Sequence, residues 1–299
     1  MSPVCSAAPR NDSADAAAGY DEAGEGEPTE PELDLQDRLV TVGQADVAVT
    51  VRILTDDDHI TFIGVGSRLW PVATWALEQL LFGNIRMPPA ANPQTLAEQQ
   101  WPAIKLAGAR VVTVGAGVGL LGMGLALHGA CRVVLTDQPW ILPLTKRNIA
   151  ANFNSHAGDG LADAEDQDLP SAAAATGGGP LSIELEHREG SRRPCRPTVA
   201  TLRWGHGPDY AGLPGPYDLV CGTDITYLKR DFDKLLATLG YLRSAGWPLA
   251  GRGAATVIVA VATRERNLQM FTNHASARGW DVVLLCANAA GGLLWLRPC

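Results

Sequence analysis

The chain has 299 residues, 46% of them hydrophobic, enough for one sizeable α/β domain or two small ones. Its formal net charge of −8 is unevenly spread: residues 1–37 hold ten acids and one base, leaving 22 acids against 23 bases beyond them. A near-neutral body carries no strong basic field, which argues against a nucleic-acid partner.

Cys5, Cys131, Cys195, Cys221, Cys286 and Cys299 form no C-x-x-C pair, and no cysteine or histidine shows metal-ligand spacing, so no metal is expected. Cys131, Cys221 and Cys286 lie in apolar, strand-like runs and are expected to act as small core residues. That usage suits a reducing compartment. No basic region followed by an apolar one marks a secretory signal, so the cytoplasm is the expected location, with the nucleus second.

In chain order, residues 1–37 are rich in Ala, Gly, Glu, Asp and Pro, which predicts a disordered acidic tail. Val-rich alternation over residues 38–55, around Gly43-Gln44, predicts a hairpin, and residues 60–65 a further strand. Pro71 suits the first turn of a helix over residues 72–82, with Trp70 just ahead of it. Trp70 reads either as core or as a ring covering a ligand.

The stretch from Arg110 to Asp137 organises the rest. Val111 to Val114 predicts a buried strand, Gly115, Gly117 and Gly119 a tight turn, and residues 120–127 an apolar helix ended by Gly129. A second strand over residues 132–136 delivers Asp137 at its carboxyl end. Strand, glycine turn, helix, strand and acid make a βαβ unit for a nucleoside-containing ligand, with Asp137 as acceptor for ribose hydroxyls. A transmembrane helix over 111–127 is disfavoured by its five glycines and marginal length. A nicotinamide dinucleotide stays open here, because Gly117 to Gly122 fits G-x-G-x-x-G.

Residues 139–153 predict a helix, and residues 155–198 a long low-complexity insertion. Strands are expected over 198–205, 217–222 and 255–262, with helices over 230–242 and 266–278. The two last strands, 281–286 and 293–296, are separated by only six residues and must pair antiparallel, since a parallel crossover needs a dozen or more. A parallel sheet closed by an antiparallel hairpin departs from the usual dinucleotide layout.

Four stations then carry a resemblance: Leu69-Trp70-Pro71, Gly115-Ala116-Gly117-Val118-Gly119, Leu202-Arg203-Trp204-Gly205 and Gly222-Thr223-Asp224-Ile225-Thr226-Tyr227. Together they resemble the seven-β-strand protein-lysine methyltransferases of the methyltransferase-like group, the last through the D-x-x-Y signature. The resemblance implies a Rossmann-like α/β sheet of seven strands, mostly parallel, with helices on both faces. It implies that S-adenosyl-L-methionine is held by Trp70, Gly115, Ala116, Gly117, Gly119, Asp137, Trp204 and Thr223. It assigns catalysis to Asp224 and Tyr227, whose structural alternatives are a helix cap and half-buried packing. The implied partner is a protein, such as a chaperone or translation factor, bound by a monomer with no membrane contact. Thr113 departs from the family, which has an acid at that position. A fold that binds cofactor without turnover is therefore the rival function, and histidine, arginine or a small molecule are rival acceptors.

Overall fold

A computed structural model describes residues 35–43, 48–56, 64–83, 85, 105–153, 194–213, 215–245, 254–262 and 267–299. The expected acidic tail and most of the expected insertion lie outside these residues. Hairpin strands β1 (Gln36–Val42) and β2 (Val49–Thr55) precede helix α1 (Pro71–Phe82). The βαβ unit follows as β3 (Arg110–Val114), α2 (Leu120–Leu127) and β4 (Arg132–Asp137), then α3 (Leu142–Phe153). Next come β5 (Thr198–Thr201), the one-turn helix α4 (Gly207–Tyr210), β6 (Leu219–Thr223) and α5 (Phe232–Ser244). The chain closes with β7 (Thr256–Ala262), α6 (Asn267–Ala277), β8 (Trp280–Ala287) and β9 (Gly291–Pro298).

The main sheet has seven strands in the order β5-β4-β3-β6-β7-β9-β8. Its first five are parallel, and β9 enters antiparallel between β7 and β8. The order reverses beside β3, where β4 lies on one side and β6 on the other. Such a switch point opens a crevice at the carboxyl ends of the strands. The closing hairpin predicted from loop length is present, and the β1–β2 hairpin forms a sheet of its own.

Alternation along β3 explains the two-sided core. Val111 packs with α1, α2 and the β1–β2 hairpin, while Val112 and Val114 face α5 and α6. Helix α2 is buried nearly all round. Its glycines allow that packing: a Cβ on Gly122 would lie 2.1 Å from Leu135 Cδ2, and one on Gly124 would lie 2.4 Å from Leu77 Cδ2. Eight residues span about 12 Å, well short of a bilayer. Among the described residues no helix is long and apolar enough to cross a membrane, and no group of side chains could hold a metal ion.

Some boundaries differ from expectation. Strand β1 begins at Gln36, inside the predicted tail, because its exposed face is polar and Asp37 pairs with Arg52. Gly64–Ser67 is a 3₁₀ turn where a strand was expected to end. Cys131 is exposed rather than a core residue, since it precedes β4 instead of lying within it.

Candidate active site

The glycine turn follows β3 directly, and Gly115, Gly117 and Gly119 all have positive φ (63°, 54° and 88°), a region closed to most side chains. A Cβ on Gly117 would lie 3.0 Å from the Gly66 carbonyl, so the turn nests tightly against the 3₁₀ segment. The carboxylate of Asp137 pins it, accepting the Gly117 N–H at one oxygen and the Gln138 N–H at the other, both at 2.7 Å. Burial pushes the Asp137 carboxyl up from its ordinary value, and those two N–H groups oppose the shift. Helix α3 supports the turn from behind: Thr145 Oγ1 donates to Gly117 O at 2.7 Å, and Asn148 Nδ2 donates to Val118 O at 2.9 Å.

Strand β5 contributes Trp204. The Leu202 N–H bonds to the Asp137 carbonyl at 2.9 Å, fixing the exit of β5 beside β4. Beyond it, the nearly buried Asp209 carboxylate receives the Arg203 N–H, two Arg203 guanidinium N–H groups and His206 Nδ1. The Arg203 guanidinium, first among these, holds the Asp209 carboxyl well below the usual carboxylate range. Gly205 N–H donates to Thr238 Oγ1 on α5 at 3.0 Å, closing the turn that presents Trp204.

Strand β6 delivers Thr223 and Asp224. Asp224 has φ 54°, the one positive value on a non-glycine among the described residues. Its N–H bonds to Ala260 O at 2.9 Å, so pairing with β7 holds it in the left-handed conformation. Strain of this kind collects where a site must aim a group, and Asp tolerates it better than most residues. No helix starts at Asp224; α5 begins eight residues later with Asp231 at its N-cap. Tyr227 is 47% exposed. Its phenol is pushed up by burial, then by the charges of Asp137, Asp231 and Asp224, with Arg230 opposing.

These elements enclose a cleft of about 470 Å³ at the carboxyl ends of the strands, a size suited to small-molecule binding. Trp70, Gly115, Ala116, Gly117, Asp137, Trp204, Thr223, Asp224 and Tyr227 all line it. Gly119 does not: it starts α2, and a Cβ there would meet Thr145 and Met123. Trp70 packs partly against the core, and its Nε1 donates to Val65 O at 3.0 Å. Gln138, Trp140, Asp231 and Lys234 also line the cleft and carried no sequence signal beyond standing near Asp137 or α5. A larger groove of about 920 Å³, around Arg243, Trp280 and Arg297, lies at the amino end of β7, far along the sheet from the glycine turn.

Part of the chain is similar to known proteins. Residues 52–164 match the family model described as lysine methyltransferase. The match takes in little more than a third of the chain. It contains Trp70, the glycine turn and Asp137, whereas Trp204, Thr223, Asp224 and Tyr227 lie beyond it. Mouse protein N-lysine methyltransferase METTL21A is 32% identical over 142 residues, covering 48% of each chain. EEF1A lysine methyltransferase 3 of Xenopus tropicalis is 30% identical over 135 residues, covering 45% of this chain and 42% of its own. The chain thus spans about half the length of the curated relatives it matches. A solved magnesium protoporphyrin IX methyltransferase from Synechocystis PCC 6803, with bound SAM, aligns over 80% of this chain and 83% of its own, at 15% identity and TM-score 0.38.

The matched stretch and the strands after it offer groups that suit an adenosyl sulfonium ligand. The positive-φ turn admits close backbone approach, and the carboxylate of Asp137 retains lone pairs for hydroxyl donors. Aromatic faces at Trp70, Trp140 and Trp204 can cover a flat base.

Proposed function

We propose that the chain is an S-adenosylmethionine-dependent methyltransferase acting on a lysine amine of a protein. One observation carries the reading: strained Asp224 and exposed Tyr227 open into the same cleft as the glycine turn and Asp137. When bound, the cofactor supplies a methyl group activated on a sulfonium. The chain's own task is to align an amine with that methyl and to exclude water. Gly115 and Gly117 allow the close approach, and Asp137 accepts the ribose hydroxyls. Asp224 orients the amine as an acceptor. Tyr227 keeps its proton at neutral pH, since its phenol is shifted upward, so its O–H can donate while its ring walls the channel. A lysine must lose its proton before it attacks, and apolar walls favour the neutral form whereas nearby carboxylates oppose it.

The acceptor protein is read as a chaperone or translation factor; one relative is named for EEF1A. Action in the cytoplasm completes the proposal, on the strength of cysteine usage suited to a reducing compartment. Calorimetry tests the cofactor: S-adenosylhomocysteine should bind in the micromolar range, roughly −8 kcal/mol. Asp137→Ala should weaken binding by about 1.5–3 kcal/mol. Labelled cofactor incubated with a cell extract should then mark a protein on lysine. With that substrate, Tyr227→Phe should slow single-turnover transfer while leaving cofactor affinity intact. Asp224→Asn should cost two to three powers of ten, about 2.7–4 kcal/mol. Wild-type rates in both variants would return these residues to structural roles. The second reading, a module that binds cofactor without turnover, is favoured by Thr113 standing in place of an acid. Cofactor binding with no labelled acceptor would select it.

A further inference from the structure

The amide of Gln138 is the least explained group in the cleft. Among the described residues its Oε1 is buried without a hydrogen-bond partner, although the residue lines the cavity beside Asp137. A buried amide oxygen without a donor costs roughly 1–3 kcal/mol, so such a group lining a cavity calls for a donor from what fills it. Its backbone is already committed: the Gln138 N–H serves Asp137, and its carbonyl accepts from the Ile141 N–H at 3.0 Å. Only the side chain is left to act.

Its surroundings limit what the partner can be. Gln138 follows the β4 terminus, on the side of the switch point shared with β5 and Trp204. Two residues on, Trp140 is 57% exposed and lines the same cavity. An amide in a cavity also lined by Trp140 and Trp204, next to a carboxylate suited to ribose, has the chemistry to read a purine edge. Glutamine presents one acceptor and one donor side by side, which matches the N6 amine and N7 of adenine. A 6-oxo purine offers two acceptors there and leaves the amide oxygen still without a donor.

We infer that Gln138 is a specificity-determining residue that recognises the adenine edge of the cofactor. The inference rests on the cofactor reading above and extends it to discrimination among bases. The test uses the full chain and two probes, S-adenosylhomocysteine and S-inosylhomocysteine, which share N7 and differ in the 6-substituent and the N1 proton that goes with it. Calorimetry should give wild type a preference of about tenfold or more for the adenosyl compound, in line with one hydrogen-bonded edge. Gln138→Ala and Gln138→Leu should lower adenosyl affinity to near the inosyl value and leave the inosyl value almost unchanged, with circular dichroism confirming the fold. Equal binding of both probes by wild type, or undiminished preference in both variants, overturns the inference while the cofactor reading stands. Binding of neither probe by wild type overturns both.

Discussion

Thr113 and Asp224 show how single residues answer differently to pattern and to packing. The resemblance expects an acid at position 113, where a carboxylate would supply charge near a cationic cofactor. In the fold, Thr113 does not line the cleft. It is 1% exposed, its methyl would lie 3.2 Å from a Cβ on Gly122, and its Oγ1 has no partner among the described residues. An ionised side chain in that space would be buried without a counter-charge. Thr113→Glu should therefore lower stability by roughly 3–5 kcal/mol, the cost of an uncompensated buried charge, rather than raise activity. Thermal unfolding checks this, and a gain in cofactor affinity at unchanged melting temperature would refute it. Asp224, by contrast, was legible from its D-x-x-Y setting, but its left-handed backbone was not. Nothing in a sequence marks a non-glycine at φ 54°; that conformation is imposed by pairing to Ala260.

At the scale of elements, strands and helices followed from β-branched runs and apolar periodicity, and most ends shifted by only a few residues. What pattern could not reveal was how the β1–β2 hairpin attaches. Two asparagines one turn apart on α3 act as a surrogate strand along β2. Asn148 accepts the Leu54 N–H at 2.7 Å and donates to Leu54 O at 3.0 Å, while Asn152 does the same for Arg52 at 2.8 and 2.7 Å. Asn148 also donates to Val118 O, so one buried amide ties the hairpin to the glycine turn. Polar residues on a helix read as solvent-facing, which is why this ladder escaped sequence reasoning. Asn148→Ala would strand three backbone groups and should cost roughly 3 kcal/mol or more. Amide exchange at Leu54 should accelerate; full protection there would mean that the hairpin holds by apolar packing alone. The turn between β5 and α4 has its own lock in Asp209, whose lowered pKa fixes the sign of its pH response. Its contribution is complete above the unfolded carboxylate pKa, near 4, and fades as pH falls toward the lower folded value. Asp209→Asn should thus melt below wild type at pH 7, and the gap should narrow on acidification below about pH 4. A constant gap from pH 7 to 2 would exclude that carboxylate as the source.

For the whole molecule, topology was readable because one loop was short: six residues cannot carry a parallel crossover, so the antiparallel close was forced. Where the first strand starts was less readable, because charge composition continues smoothly from the acidic N-terminal stretch into β1. Gln36 pairs with Thr55 and Asp37 with Leu54, and the Asp37 carboxylate accepts the Arg52 Nε–H at 3.0 Å. Two truncations separate leader from fold. Removing residues 1–34 should leave melting temperature and cofactor affinity nearly unchanged, since that composition offers few apolar groups to a core. Removing residues 1–37 deletes two ladder positions and the ion pair. An exposed pair contributes about 0.2–1 kcal/mol, and the lost pairing adds a comparable amount. For a domain of this size, 1 kcal/mol shifts melting by about 2–4 °C, so the longer truncation should melt a few degrees lower than the shorter. Differential scanning calorimetry on the two proteins reads the difference directly. Equal melting temperatures would place the energetic start of the domain after Asp37, and a large loss from the shorter truncation would mean that the leader packs against the fold.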